Sequence, residues 1–205
     1  MPSILVHKYC WETLMSSVED SLAFWFGQPG EPTYGKQRSL WFNKKSKFDQ
    51  ELRNHFFGYY QQAAARGLEH WHSSPRSCLA LILLFDQFPR HMFRGSAKSF
   101  ATDPQALWAA QHAVAKGFDQ ELLNVQRWFI YLPFEHSENL DHQRQSVELF
   151  ATLSDDPDSA SAIDYSIRHR SVIERFGRFP HRNKILGRAT TPEEAEFLKQ
   201  PGSSF

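Results

Sequence analysis

Between Phe176 and Glu194 the chain reads FGRFPHRNKILGRATTPEE, and within it lie Arg178, His181, Arg182, Asn183 and Arg188. A loop that only joins helices has no need of so many cations beside two phenylalanines. Guanidinium forks match the geometry of carboxylate and phosphate groups, so the chemistry on offer is anion recognition. Arg90 and Arg94 stand in a second short segment, His136 in a third, and His169 just ahead of the first. The acids Asp86, Glu135, Glu138 and Glu174 neutralise only some of these cations. The sequence therefore predicts that segments 86–94, 133–143 and 169–188 converge on one side, around a cationic hollow whose charge the protein does not itself cancel.

Some polar residues fall on apolar faces. After Ser159, the residues Ala162, Tyr165, His169, Val172, Ile173 and Phe176 recur at helical spacing, so His169 points inward. After Ser137, Leu140, Gln143, Val147 and Phe150 form a second stripe, with His136 one turn ahead of it. Asp86 interrupts the nearly all-apolar run LALILLFDQF. A buried carboxylate is costly without a partner, so Asp86 should meet a cation or several donors. Arg90 lies at the right distance, although Pro89 disturbs the helix there; an arginine of the 178–188 segment is an equal candidate.

Such contacts often do no more than tie down irregular loops. The functional alternative is a ligand site. In it Arg94, Arg178, Arg182 and Arg188 supply charge, with Arg90 and His181 in the lining. His136 and His169 transfer protons, with Glu138 beside His136. Asp86 and Glu138 orient an arginine or a histidine, and Gln143 and Asn183 donate directional hydrogen bonds.

Other chemistries find less in the chain. EHSENLDH offers Glu135, His136, Glu138 and His142, but it lacks the HExxH pattern. His136 and His142 fall on different helical faces, so no metal is expected. No GxSxG elbow, GxGxxG or phosphate-binding loop occurs, and no cofactor is expected. Arg168 to Arg188 is strongly basic, with Glu174 its only acid, and Phe176 and Phe179 are of the kind that stacks bases. Those aromatics read as core residues, and the whole chain has zero formal net charge. Nucleic acid is not the expected partner.

These residues need helices to position them. Ser16 with Glu19 is a candidate capping box for a helix stopping at Gly27. A long helix is predicted from Lys45 to Arg66, with Gly67 as its stop. Ser74-Pro75 and Asp103-Pro104 each read as a capping residue followed by proline in the first turn. Pro89 ends or kinks the first of these two helices. Ala106, Ala109, Ala110 and Ala113 give the second a small-residue side. Asp119 is a candidate cap for a helix terminated by Pro133. Further helices run from Ser137 to about Leu153 and from Asp158 or Ser159 to Gly177. Thr191-Pro192-Glu193-Glu194 opens a short last one. No stretch alternates as a strand does, so the fold class is all-α, built of antiparallel helix pairs.

At 205 residues the chain is expected to be a single helical domain, 1–205. A hydrophobic content of 41% is enough for a core without disulfide or metal staples. Cys10 and Cys78 share no metal spacing, and a reduced, cytoplasmic location is the simplest reading. His7 and Lys8 interrupt a short apolar start, so no signal peptide is predicted. The apolar run Cys78 to Phe85 falls far short of the roughly 20 residues of a membrane-spanning helix.

Several blocks closely resemble the DUF924 family: LLFDQFPRHMFRGSAKSFATD, FIYLPFEHSENLDHQ and FGRFPHRNKILGRATTPEEAEFL. FWFG near Phe24 and the WF…FD pattern from Trp41 to Asp49 fit its amino-terminal half. One departure is His91, where the family pattern carries Asn after DQFPR. The resemblance implies a helical fold similar to tetratricopeptide-repeat domains, in a right-handed array. It implies no reaction, because the family's molecular function is not established. Two readings stand. One is an intracellular protein binding a small anionic molecule, with or without acid–base turnover. The other is a scaffold that receives a protein or peptide in a groove.

Overall fold

The computed structural model describes residues 17–42 and 46–204; Cys10, Ser16 and Lys45 fall outside them. Helix α1 covers residues 17–26 and stops at Gly27, whose φ of +82° is left-handed and free of strain for glycine. Helix α2 spans Ser46–Ala64. Its stop differs from expectation by one residue. Arg66, not Gly67, takes the left-handed conformation, at φ 63°. Gly67 follows because a Cβ there would lie 3.2 Å from the Gln62 carbonyl oxygen.

Helix α3, Pro75–Ile82, starts as Ser74-Pro75 predicts, with the Ser74 hydroxyl accepting the Ser77 N–H at 3.4 Å. From Cys78 to Leu84 no residue is more than 1% exposed, so this helix is apolar all round and central. Helix α4, Phe88–Met92, continues it, and α2 packs against this continuation. Helices α5, Asp103–Ala115, and α6, Asn124–Glu135, pack on α3. The four alanines of α5 are fully buried and let it approach closely, near enough for the Cys78 thiol to reach the Ala109 carbonyl at 3.6 Å.

Pro89 neither ends nor sharply breaks the central helix. Proline has no N–H, so Phe85 loses its usual helical donor, and the ring crowds the Phe85 carbonyl. The chain widens into a π-helical turn over Leu83–Gln87, where the Phe88 N–H donates to the Leu83 carbonyl. The Phe85 carbonyl instead accepts the Thr102 hydroxyl at 2.7 Å. That hydroxyl consequently does not cap α5, whose Asp103 side chain is used elsewhere.

Pro133 is likewise carried inside α6, which runs on to Glu135. Asp119 lies in a 3₁₀ turn before α6 and does not cap it; it accepts the Tyr131 hydroxyl at 2.7 Å. Helix α7, Leu140–Ala151, is capped by Asn139 and not by Ser137: the Asn139 amide oxygen accepts from the N–H of Asp141 at 2.8 Å. Helix α8, Ala160–Phe176, ends at Gly177 with φ +67°. Helix α9, Pro192–Phe197, has the reciprocal Thr191–Glu194 capping box that TTPEE predicts. Helices α5 to α8 pack successively on one another. A large core extends from Val18 to Leu153, and a smaller cluster gathers Val172, Ile173 and Phe179. No strand occurs among the described residues.

The substitute donor for the Phe85 carbonyl is testable. Thr102→Val leaves a buried carbonyl unpaired and should cost about 1–3 kcal/mol in urea unfolding. In a Pro89→Ala background, which restores an N–H, the same change should cost clearly less. Equal costs in both backgrounds would disprove the link.

Candidate functional site

The π-turn places Asp86 at the centre of a polar cluster, its side chain 1% exposed. Oδ1 accepts the Nδ1–H of His136 at 2.7 Å, and Oδ2 accepts the Gln87 amide at 2.6 Å. Arg90 Nη1 lies 3.2 Å from Oδ1 and also donates to the Asp86 carbonyl at 2.5 Å. Burial pushes the Asp86 carboxyl up, but the Arg90 charge and His136 outweigh it and hold Asp86 below the usual carboxylate range. His136 is held below its ordinary value by burial and the Arg90 charge, against the pull of Asp86. It is therefore neutral near pH 7, with its proton on Nδ1 toward Asp86. Its Nε2 has no hydrogen-bond partner among the described residues, and the side chain keeps 14% exposure.

Arg90 turns its fork on Asp103, at 2.9 and 3.1 Å, and Arg182 reaches the same carboxylate at 3.4 Å. The Arg182 guanidinium packs against two rings, 4.6 Å from the Phe100 centroid and 4.7 Å from that of Phe179. Burial and the neighbouring Arg90 charge lower its pKa to about 10, so it remains a cation at neutral pH. A second carboxyl–imidazole pair lies alongside. His169 Nδ1 donates to the Tyr165 carbonyl at 2.8 Å and lies 3.2 Å from Glu135 Oε1. The rings of His136 and His169 are 6.4 Å apart. Burial, and then the Asp86 charge, push Glu135 well above the usual range, and burial pushes His169 well below its own. The His169 imidazole is thus neutral at neutral pH, and the Glu135 carboxyl holds its proton to higher pH than an ordinary glutamate.

The family model described as bacterial protein of unknown function, DUF924, matches residues 22–202. The chain belongs to the DUF924 family. It is also similar to a solved structure, a protein of unknown function from Agrobacterium tumefaciens. The two share 38% identity over 90% of this chain and 98% of that one, with a TM-score of 0.80. No curated protein matches the chain.

In this DUF924 chain the three segments do meet: Asp86 with His136, Glu135 with His169, and Glu138 with Phe179 and Arg188. The uncancelled positive charge does not appear, because acids distant in sequence neutralise the arginines. Arg178 forks onto Glu194 at 2.6 and 2.9 Å, and Arg188 onto Glu138 at 2.7 and 3.0 Å. Arg94 forks onto Asp49 at 3.0 and 3.1 Å, beside His91, in a separate cluster with α2. Glu138 also accepts the Phe179 N–H at 2.7 Å. Although burial pushes it up, Arg188 and that N–H hold Glu138 below its ordinary value. A carboxylate so committed positions the loop and is not a proton carrier. Gln143 donates to the carbonyls of Glu135 and Ser137, closing the end of α6, and Asn183 donates to Glu194 at 3.1 Å. Both serve the scaffold. His181 packs its ring against Phe179, and burial followed by the Arg182 charge lowers its pKa to about 4.

Asp103, Phe100 and Gln87 belong to the cluster and were not legible in the sequence. Asp103 reads as a helix start, and only the detour of the Thr102 hydroxyl to Phe85 hints that it has another task. Among the described residues no group of three or more His, Cys, Asp or Glu side chains is placed to hold a metal ion.

The low pKa of His181 sets a pH dependence. An unfolded histidine takes up its proton near pH 6.5 and the folded one only near 4. The unfolded state thus binds more protons between these values, and stability is lost as pH falls through that window. His181→Gln should flatten the decline in urea midpoint between pH 6.5 and 4. A variant that parallels the wild type throughout would contradict the assignment.

Proposed function

We propose that this chain binds a small anionic molecule, carboxylate- or phosphate-bearing, at Arg182, with His136 as the proton acceptor beside it. One observation carries this reading. Arg90, Arg94, Arg178 and Arg188 each fork onto a carboxylate at 3.1 Å or less, whereas Arg182 has a single carboxylate contact, at 3.4 Å. Its Nε is buried without a partner, and its Nη2 makes no hydrogen bond among the described residues. Two aromatic rings pack against this incompletely paired fork, which lowers the entropy cost of ligand capture. His136, also beside the Arg90–Asp103 pair, offers the bare Nε2 of a neutral imidazole backed by a carboxylate. That arrangement suits general-base chemistry near neutral pH. The reading takes the chain as one intracellular domain whose helix pairs stack in a right-handed, tetratricopeptide-like array. The successive packing of α5 to α8 supports the stacking.

The saturation of the other four arginines favours a second reading, a scaffold whose polar clusters are struts and which receives a protein or peptide. A cleft of about 660 Å³ lined by Phe24, Arg38, His55, Phe56 and Tyr59 is the place it offers.

Thermal melting against a panel of small carboxylates and phosphates separates the two. A ligand at ~100 times its Kd should stabilise the wild type by about 2.7 kcal/mol. Arg182→Gln should abolish that shift, and His136→Asn should retain it. If no anion shifts the wild type, or if Arg182→Gln responds equally, the anion site is lost and the scaffold stands.

A further inference from the structure

Asp103 holds an unusual position for a helix-start residue. Its carboxylate bridges two guanidiniums, accepting both arms of Arg90 and one arm of Arg182. Phe100 lies beneath both cations, 5.7 Å from Arg90 and 4.6 Å from Arg182. The carboxylate is 20% exposed, whereas Asp86 on the inner side of Arg90 is 1% exposed. Asp103 thus closes the cluster from the solvent side.

We propose that Asp103 is an internal stand-in for the ligand: a singly charged carboxylate displaces it and takes its place between Arg90 and Arg182. This rests on the anion-binding reading above and names its substrate class. Three features support the choice of a carboxylate. The near-equal distances from Arg90 are those of a planar two-oxygen acceptor in a fork, the geometry a carboxylate supplies. Charge counts the same way. With Asp103 turned out, Arg90, Arg182 and Arg188 face only Asp86 and Glu138, which leaves one positive charge to satisfy; a doubly charged phosphate would overfill the site. Finally, Asp103 has somewhere to go. It sits in the first turn of α5, where a negative side chain is favoured by the helix dipole, and the Thr102 hydroxyl leaves that turn uncapped.

The probes are propionate and inorganic phosphate, measured by calorimetry on the wild type, Asp103→Asn and Arg182→Gln. Removing the internal competitor should tighten propionate binding about tenfold in Asp103→Asn, with phosphate the weaker ligand in both proteins. Arg182→Gln should bind neither. If the wild type binds an anion but Asp103→Asn binds propionate no tighter, or prefers phosphate, the stand-in fails while the anion site survives. If neither the wild type nor Asp103→Asn binds any anion, both fail. Should Asp103→Asn not fold, carbon-13 spectra of the wild type decide. The Asp103 carboxyl resonance should move as propionate saturates the protein, and a resonance that stays in place overturns the proposal.

Discussion

The structure turns on a carboxylate buried away from the surface. Asp86 sits inside a helix otherwise filled with leucine, isoleucine and phenylalanine, and an isolated charge there would cost far more than a domain's net stability. It persists because Arg90, His136 and Gln87 reach it together. Each partner imposes a demand on the fold. Arg90 lies one turn beyond Asp86, past Pro89, so the helix must run on through the proline, which it does by way of the π-turn. His136 must come from the last turn of α6, so α6 must lie against the π-turn. π-turns of this kind are frequent at functional positions, since the extra residue re-aims side chains that a regular helix would bury uniformly.

Around that centre, ion pairs organise the carboxy-terminal segment. The smaller apolar cluster beyond α7, with Val172, Ile173 and Phe179 at its heart, is too small to hold the 178–194 segment by burial alone. Arg188 on Glu138 and Arg178 on Glu194 hold it against the ends of α6 and α7 and against its own final helix. Exposed pairs contribute little to stability. These are partly buried and forked, and the Glu194 side chain also closes the capping box of α9. A dense set of arginines therefore has a structural explanation at most positions. Arg182 differs because two rings and a single, longer carboxylate contact surround it, so its charge is shielded from water without being fully paired.

The two adjacent residues Glu135 and His136 divide the polar interior into pairs of opposite character. His136 lies against an ionised carboxylate, and Glu135 lies against a neutral imidazole. Burial is the common cause, and the placement of Arg90 decides the difference, since it stabilises the charge on Asp86 and has no comparable contact with Glu135. A chain with balanced charge can in this way present a basic nitrogen at one edge of the cluster while a deeper carboxyl–imidazole pair is pushed toward its uncharged forms.

Much of this was readable without coordinates. Alternation was absent and helical stripes were present, so the all-helical class followed from spacing. The alanine side of α5, the Ser74 cap and the TTPEE capping box followed from residue chemistry within a few positions. His169 and Gln143 were placed inward by the same periodicity, because a local pattern is enough to say which face of a helix is apolar. Pairing was different. Asp49, Asp103 and Glu194 neutralise arginines 13 to 79 residues away, and nothing local marks an acid for a distant cation. Likewise Pro89 signals a disturbed helix, but whether the chain stops, bends or widens depends on whether a donor such as the Thr102 hydroxyl is at hand. The sequence by itself determined the helices, their apolar faces and the presence of a buried acid. Only the tertiary structure decided which charges meet, because electrostatic partnership depends on distance in space and on the exclusion of water, and neither is written along the chain.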